Sequence, residues 1–79
     1  MQKFKSYNEA VEAAEQYFIR NFNFTSNTNV GVESADGNII EFYSKFDPGM
    51  DDTFTCMVND GNEYRCKNGG QLQINGFIV

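Results

Sequence analysis

The sequence contains no histidine and only two cysteines, Cys56 and Cys66, among its 79 residues. General-base and nucleophilic catalysis usually require histidine, an activated cysteine or a carboxylate pair in a pocket, and so small a chain has little bulk for a deep pocket. The two cysteines are too few for a disulfide framework and lack the paired spacing of a zinc site. We therefore expect no enzyme and no cofactor.

Long apolar runs and an excess of basic charge are also absent. No stretch approaches the roughly 18 apolar residues of a membrane span, and the first residues lead into a polar helix rather than a signal sequence. Six Lys and Arg residues stand against eleven Asp and Glu residues, a net charge of −5. This balance opposes direct binding to nucleic acid or membrane and suits a protein partner with a basic surface. We expect a cytoplasmic protein.

The composition still supports a folded core, because 41% of the residues are hydrophobic and eight are Phe. The length allows one domain, over residues 1–79. Its first element is a helix over about 6–21, which Ser6 and Glu9 begin as a capping box in which the Glu9 carboxylate accepts from the Ser6 amide. An apolar stripe at helical spacing then predicts a face that packs on a sheet; it consists of Tyr7, Val11, Ala14, Phe18 and Phe22.

The remainder alternates with a period of two and predicts strands over about 29–34, 38–46, 53–58, 62–67 and 71–79. Two similar turns, around Asp36-Gly37-Asn38 and Asp60-Gly61-Asn62, predict two hairpins. Three-residue loops keep the apolar residues on one face in both hairpins, so we expect Val32 opposite Ile40 in the first hairpin and Cys56 opposite Tyr64 in the second. The predicted fold is α+β, with the N-terminal helix packed on one face of a four- to five-stranded antiparallel meander.

The second hairpin has a consequence for the cysteines. In the predicted register Cys56 and Cys66 are diagonal neighbours on the core face, roughly 7 Å apart between β-carbons, which exceeds the roughly 4 Å of a disulfide. We expect two buried, free thiols.

The predicted meander also places the acidic residues. The loops with Asp36 and Asp60 lie at one end of the sheet, and the loop with Asp47, Asp51 and Asp52 lies at the other. That last group lacks the spacing of a calcium-binding loop, so we interpret it as a solvated turn. The sheet face away from the helix carries Tyr43, Met57 and Arg65, residue types that are enriched at interfaces. The candidate partner-binding residues are Glu33, Asp36, Glu41, Tyr43, Asp47, Asp51, Asp52, Met57, Asp60, Glu63 and Arg65.

Small size, acidity and a rigid sheet with one helix resemble the small acidic inhibitors that phages and mobile elements direct against host defence, the anti-CRISPR and anti-restriction proteins. The resemblance is one of type and implies a non-enzymatic protein-binding inhibitor acting in the host cytoplasm. Such an inhibitor blocks a nuclease or its targeting complex, by steric occlusion or by acidic mimicry of DNA. The alternative is a structural or regulatory domain that acts as a homodimer or as a subunit of a larger assembly. Self-association could use the outer face or edge pairing of residues 71–74.

Overall fold

The computed structural model describes residues 1–25 and 28–79, which form one helix and one seven-stranded mixed sheet. In chain order the elements are β1 (Lys3–Phe4), α1 (Tyr7–Phe22), β2 (Val30–Gly37), β3 (Ile39–Ser44), β4 (Phe54–Val58), β5 (Tyr64–Cys66), β6 (Gln73–Ile74) and β7 (Phe77–Ile78). The strands lie in the order β1-β4-β3-β2-β5-β6-β7. Within these described residues, no helix has the length and apolar character needed to cross a bilayer.

The helix begins as predicted and ends one residue later than predicted. Ser6 is the N-cap, and its hydroxyl accepts a hydrogen bond from the Glu9 amide at 3.1 Å. The Glu9 carboxylate accepts from the Lys5 amide at 3.1 Å rather than from the Ser6 amide, so it reaches one residue further back than the capping box requires. At the other end Asn23 adopts the left-handed conformation that commonly terminates helices.

The first hairpin joins β2 and β3 with a register that differs from the prediction. Val32 lies opposite Phe42, not Ile40, and the Gly37-Asn38 loop has two residues because Asp36 pairs with Ile39. Gly37 has a φ of 67°, which suits such a tight loop. A bulge at Glu33 adds one residue to β2, so that Ala35, rather than Val32, faces Ile40. The bulge keeps the apolar residues on one face despite the shorter loop.

The second predicted hairpin is wrong. β5 pairs with β2, with Cys66 opposite Ala35 and Tyr64 opposite Gly37, and it does not neighbour β4. The segment around Asp60 therefore crosses over the end of the first hairpin, where the Asn38 side chain donates to that of Asn59 at 2.9 Å. The free edge of β4 is occupied instead by β1, which runs parallel to it.

The sheet also contains more strands than the four or five predicted. β1 is one addition, and its residue Phe4 lies opposite Val58. The other arises because the segment predicted as one strand over 71–79 folds back on itself. Asn75 and Gly76 both have positive φ values, 54° and 85°, which fit a two-residue hairpin turn between β6 and β7. As a result the residues predicted as a pairing edge, 71–74, include β6, which lies inside the sheet.

The core lies between α1 and one face of the sheet. Ala10, Ala14 and Phe18 of the helix are fully buried, as are Ile40, Phe42, Cys56 and Val58 of the strands. Tyr7 at the start of the helix stacks on Tyr64 of β5, with ring centroids 5.8 Å apart. The small alanines let the helix approach the sheet closely, and the rings of Phe18, Phe42 and Tyr64 fill the core beside them.

The strand order also changes the relation between the two cysteines. Both are buried, as predicted, but they are not diagonal neighbours. Cys56, Ile40, Ala35 and Cys66 form one row across four adjacent strands. Three interstrand spacings separate the two cysteines, about 14 Å, and Ile40 and Ala35 stand between them. The distance rules out an intramolecular disulfide in this fold.

Candidate docking surface

The sheet face opposite α1, which we call the outer face, carries the predicted anchors. Tyr43 and Met57 do not belong to the core. Met57 lies opposite Ile39, Ile39 opposite Asp36, and Asp36 opposite Arg65, so that these four residues form one row across β4, β3, β2 and β5. Ile39 is 38% exposed, so part of a large aliphatic side chain contacts solvent on this face. The row combines apolar and charged groups on a rigid scaffold.

Glu41 lies in the next row of the outer face and is held by two hydroxyl groups. Ser34 donates to its Oε1 atom at 3.0 Å, and Thr53 donates to its Oε2 atom at 2.8 Å. Ser34 and Thr55 are its cross-strand neighbours on the two sides. Because one oxygen has a donor in β2 and the other has a donor in the residue just before β4, the carboxylate has a fixed orientation and still has lone pairs available for a partner's donor.

Tyr43 lies over Gly31, its cross-strand neighbour in β2. A Cβ atom at position 31 would lie 2.5 Å from Cζ of the Tyr43 ring, so only glycine allows the ring to rest on the backbone there. An isolated glycine in a strand often marks such a close approach, and this was the one sequence signal for it. The ring is thereby kept flat on the outer face, next to the region that contains Glu41.

A shallow depression of about 540 Å³ lies in the middle of the outer face. Its walls include both charge signs, since Asp36 and Glu41 stand opposite Arg65 and Lys67. Ser34 and Asn68 also line it and were not among the predicted contacts. Polar residues of turns and bulges do not follow a periodic pattern, so the sequence contained no sign of these two contacts. They reach the depression only because β5 pairs with β2, which is a non-local contact. A depression this open suits a protein surface better than a small ligand, which normally needs a deeper cavity.

The other predicted acids are not part of this cluster. Asp47, Asp51 and Asp52 lie in the loop between β3 and β4, and Asp52 accepts a hydrogen bond from the Tyr17 hydroxyl of the helix at 3.4 Å. Glu33 lies at the bulge of β2, and its backbone carbonyl accepts from the Gly69 amide. Glu63 forms an exposed ion pair with Arg65 at 3.3 Å, a contact of small energetic value.

Asp60 has a structural role at the opposite end of the sheet. Its carboxylate accepts hydrogen bonds from the Tyr64 hydroxyl and from the backbone and side chain of Asn62. Burial alone would raise the pKa of Asp60, but these hydrogen bonds outweigh it and lower the pKa below its usual range. Burial, followed by the hydrogen bond to Asp60, raises the pKa of Tyr64 to about 12. Asp60 thus orders the crossover that carries the chain from β4 to β5.

Neither cysteine is prepared for nucleophilic chemistry. Burial raises the pKa of the Cys56 thiol to about 11, and burial together with the nearby Glu33 charge raises the pKa of Cys66. Cys66 donates to the Gly70 carbonyl oxygen at 3.2 Å, as a small core residue can. Thiols with raised pKa values remain protonated at neutral pH, whereas nucleophilic cysteines need the thiolate. Over residues 1–25 and 28–79, no group of three or more potential ligand residues forms a metal site.

Comparisons with known proteins leave the geometry as the guide to function: no family model, no curated protein and no solved structure matches this chain.

Proposed function

We propose that this protein is a non-enzymatic inhibitor that binds a nucleic-acid-processing complex of the host through the outer face. The observation that carries the proposal is the combination of exposed Ile39 and neighbouring Met57 with the ordered carboxylate of Glu41 on a face that α1 leaves free. An apolar centre with charged neighbours is the usual composition of a protein-docking site. The raised thiol pKa values and the lack of histidine favour binding over catalysis.

The net charge of the whole chain, which is −5, favours a partner with a basic surface. Within the depression of the outer face, Asp36 and Glu41 are balanced by Arg65 and Lys67. The net charge attracts a basic surface during diffusional encounter and opposes the approach of acidic ones. Nucleases and their targeting complexes present basic grooves where phosphates bind, and they operate in the cytoplasm of the host cell. An acidic domain docked over such a groove would prevent nucleic acid from entering.

Steric occlusion is the version of inhibition that the geometry favours over DNA mimicry. Mimicry requires carboxylates in a regular array, and here Asp60 is engaged within its own turn while Asp52 contacts the helix. The apolar pair Ile39 and Met57 would then supply most of the binding energy, and the acids would guide association.

Affinity capture with matched charge-reversal variants tests this proposal. Asp36→Lys reverses a charge on the outer face, and Glu12→Lys makes the same change on the exposed side of the helix. We expect the wild type and the Glu12→Lys variant to enrich the same nucleic-acid-processing complex from a host lysate, and the Asp36→Lys variant to lose it. Equal loss with both variants, or enrichment of no such complex by the wild type, would contradict the proposal.

A salt series on the captured complex separates the two modes of inhibition. Binding dominated by charge weakens steeply as ionic strength rises, whereas an apolar interface responds little. We expect Met57→Ala to weaken binding at every salt concentration and Asp36→Asn to weaken it chiefly at low salt. The reverse pattern would favour mimicry of nucleic acid.

A second candidate function is a structural or regulatory domain that acts as a homodimer or as a subunit. The observation that favours it is the exposed apolar strand β7 at the edge of the sheet.

A further inference from the structure

The last strand of the sheet, β7, has an exposed apolar edge. In the described part of the chain no strand pairs with its outer side. Phe77 is 75% exposed, Ile78 63% and Val79 73%. Folded proteins normally protect such an edge with lysine, proline, a bulge or a covering element. None of the side chains from residue 68 to residue 79 is charged, so the segment lacks the usual electrostatic protection.

The hydrogen-bonding pattern shows which backbone groups this edge offers. The Val79 amide donates to the Leu72 carbonyl oxygen at 3.2 Å, so these two residues are a hydrogen-bonded pair of the antiparallel hairpin. Hydrogen-bonded and non-hydrogen-bonded pairs alternate along such a hairpin. Ile78, which lies opposite Gln73, therefore belongs to a non-hydrogen-bonded pair. Its N–H and C=O point away from β6, towards the open side.

We infer that the protein forms a homodimer in which β7 pairs antiparallel with β7 of a second copy, centred on Ile78. The Ile78 amide of each copy then donates to the Ile78 carbonyl oxygen of the other. Phe77 of one copy lies opposite Val79 of the other, so every cross-strand pair in the interface is apolar. A register centred on Phe77 would bring Ile78 opposite Gly76, whose φ of 85° does not continue a strand. The Ile78-centred register is therefore the favoured one.

Electrostatics favour this edge over the rest of the surface for self-association. All acidic and basic side chains lie within residues 1–67, and two copies with a net charge of −5 each repel one another most where those charges are dense. The hairpin of β6 and β7, which has no charged side chains, allows the closest approach. Its contact area is small against the roughly 800 Å² per partner of a standard interface. We therefore expect a reversible dimer whose population rises with protein concentration.

The dimer has a consequence for docking that rests on the proposed function. The two-fold axis of an antiparallel strand pair is perpendicular to the sheet, so the outer faces of both copies point in the same direction. One continuous sheet of 14 strands would carry two docking faces, since each copy contributes the seven strands of its own sheet. Two sites on one dimer bind a repetitive or symmetric partner more strongly than either site alone.

Sedimentation equilibrium with a matched pair of lysine variants tests the dimer without any partner. Ile78→Lys places a charge on the exposed edge, whereas Gln73→Lys places it on the same face one strand further in. We expect the average mass of the wild type and of Gln73→Lys to rise from 9.0 kDa towards twice that value with concentration. For Ile78→Lys we expect a dissociation constant at least about tenfold higher, a change of about 1.4 kcal/mol or more. Thermal unfolding checks that both variants fold.

Amide hydrogen exchange in the wild type gives a readout that needs no variant. The Ile78 amide should gain protection as concentration rises, whereas the Val79 amide, already bonded to Leu72, should be protected throughout. A mass of 9.0 kDa at all concentrations, or equal dimerisation of both lysine variants, would overturn the inference. Because these measurements contain no partner, their failure would leave the proposed docking function standing.

Discussion

Two adjacent isoleucines provide a stringent test of which sheet face the helix covers. Ile39 and Ile40 are neighbours in β3 and project to opposite faces, since Ile40 is fully buried under α1 whereas Ile39 is 38% exposed. Replacement of each by Val removes one methylene and keeps the β-branched side chain that strands favour. The two variants therefore differ in the environment of the missing group and in little else.

The expected costs follow from that environment. One buried methylene contributes about 0.8 kcal/mol, and the small cavity under the helix adds to this, so Ile40→Val should lower the free energy of unfolding by about 1 kcal/mol. At position 39 part of the group already contacts water and no closed cavity forms, so Ile39→Val should cost about 0.5 kcal/mol or less. A chain of this size has a total stability of only about 4–12 kcal/mol, so both changes are measurable.

Urea unfolding followed by circular dichroism measures both costs. With a slope near 1 kcal/mol/M, typical of a small domain, Ile40→Val should lower the midpoint by about 1 M and Ile39→Val by about half of that or less. Equal costs would mean that both faces are covered. A larger cost at Ile39 would mean that the strand is shifted by one residue and that the outer face is in fact the core.

Two further predictions concern titratable groups. Tyr64→Phe removes the hydrogen bond to Asp60. It should lower the free energy of unfolding, measured with urea, by about 1–2 kcal/mol. It should also raise the pKa of Asp60 towards its usual range, which NMR titration measures. An unchanged Asp60 pKa would show that this bond is absent. The second prediction is alkaline destabilisation through Cys56, whose pKa is about 11 in the folded protein against 9.0 for an unperturbed thiol. The unfolded chain loses this proton first, so the stabilising contribution is complete below pH 9 and is lost as pH rises to 11. The free energy of unfolding should therefore fall between pH 8 and pH 10 by about 1 kcal/mol more in the wild type than in the Cys56→Ala variant. Equal differences in the two proteins would place Cys56 in contact with water.

Local patterns in the sequence were sufficient to predict the helix and to predict which face of each strand is buried. The Ser6 cap and the helical spacing of Ala10, Ala14 and Phe18 act within a few residues of one another, so propensity and periodicity determine them. The alternation through Ile40, Phe42 and Ser44 likewise identifies the buried side of β3 wherever the strand lies in the sheet, because the side-chain period of two is a property of the strand itself.

The strand order could not be predicted by the same means. Asp36-Gly37-Asn38 and Asp60-Gly61-Asn62 have the same residues, yet the first closes a hairpin and the second orders a crossover. The difference arises from partners distant in sequence: β1 occupies the edge of β4, and Tyr64 stacks on Tyr7. A turn motif contains no information on which strand edges are still free.

The candidate docking surface was predicted in part for the same reason. Tyr43, Met57 and Arg65 were expected on the outer face because their faces follow from alternation alone. The contacts that hold the side chains of that face in place were not expected. They are the close approach of Tyr43 to Gly31 and the hydrogen bonds from Ser34 and Thr53 to Glu41. These contacts depend on register, on the bulge at Glu33 and on packing between strands.

Methyl NMR with a soluble paramagnetic agent tests directly whether α1 covers one sheet face and leaves the other open for docking. The agent broadens the signals of methyl groups that it can approach from solvent. We expect strong broadening for Ile39 and Met57 and little for Ile40 and Val58. If Ile39 and Met57 were as protected as Ile40 and Val58, the outer face would be covered and could not be the docking surface.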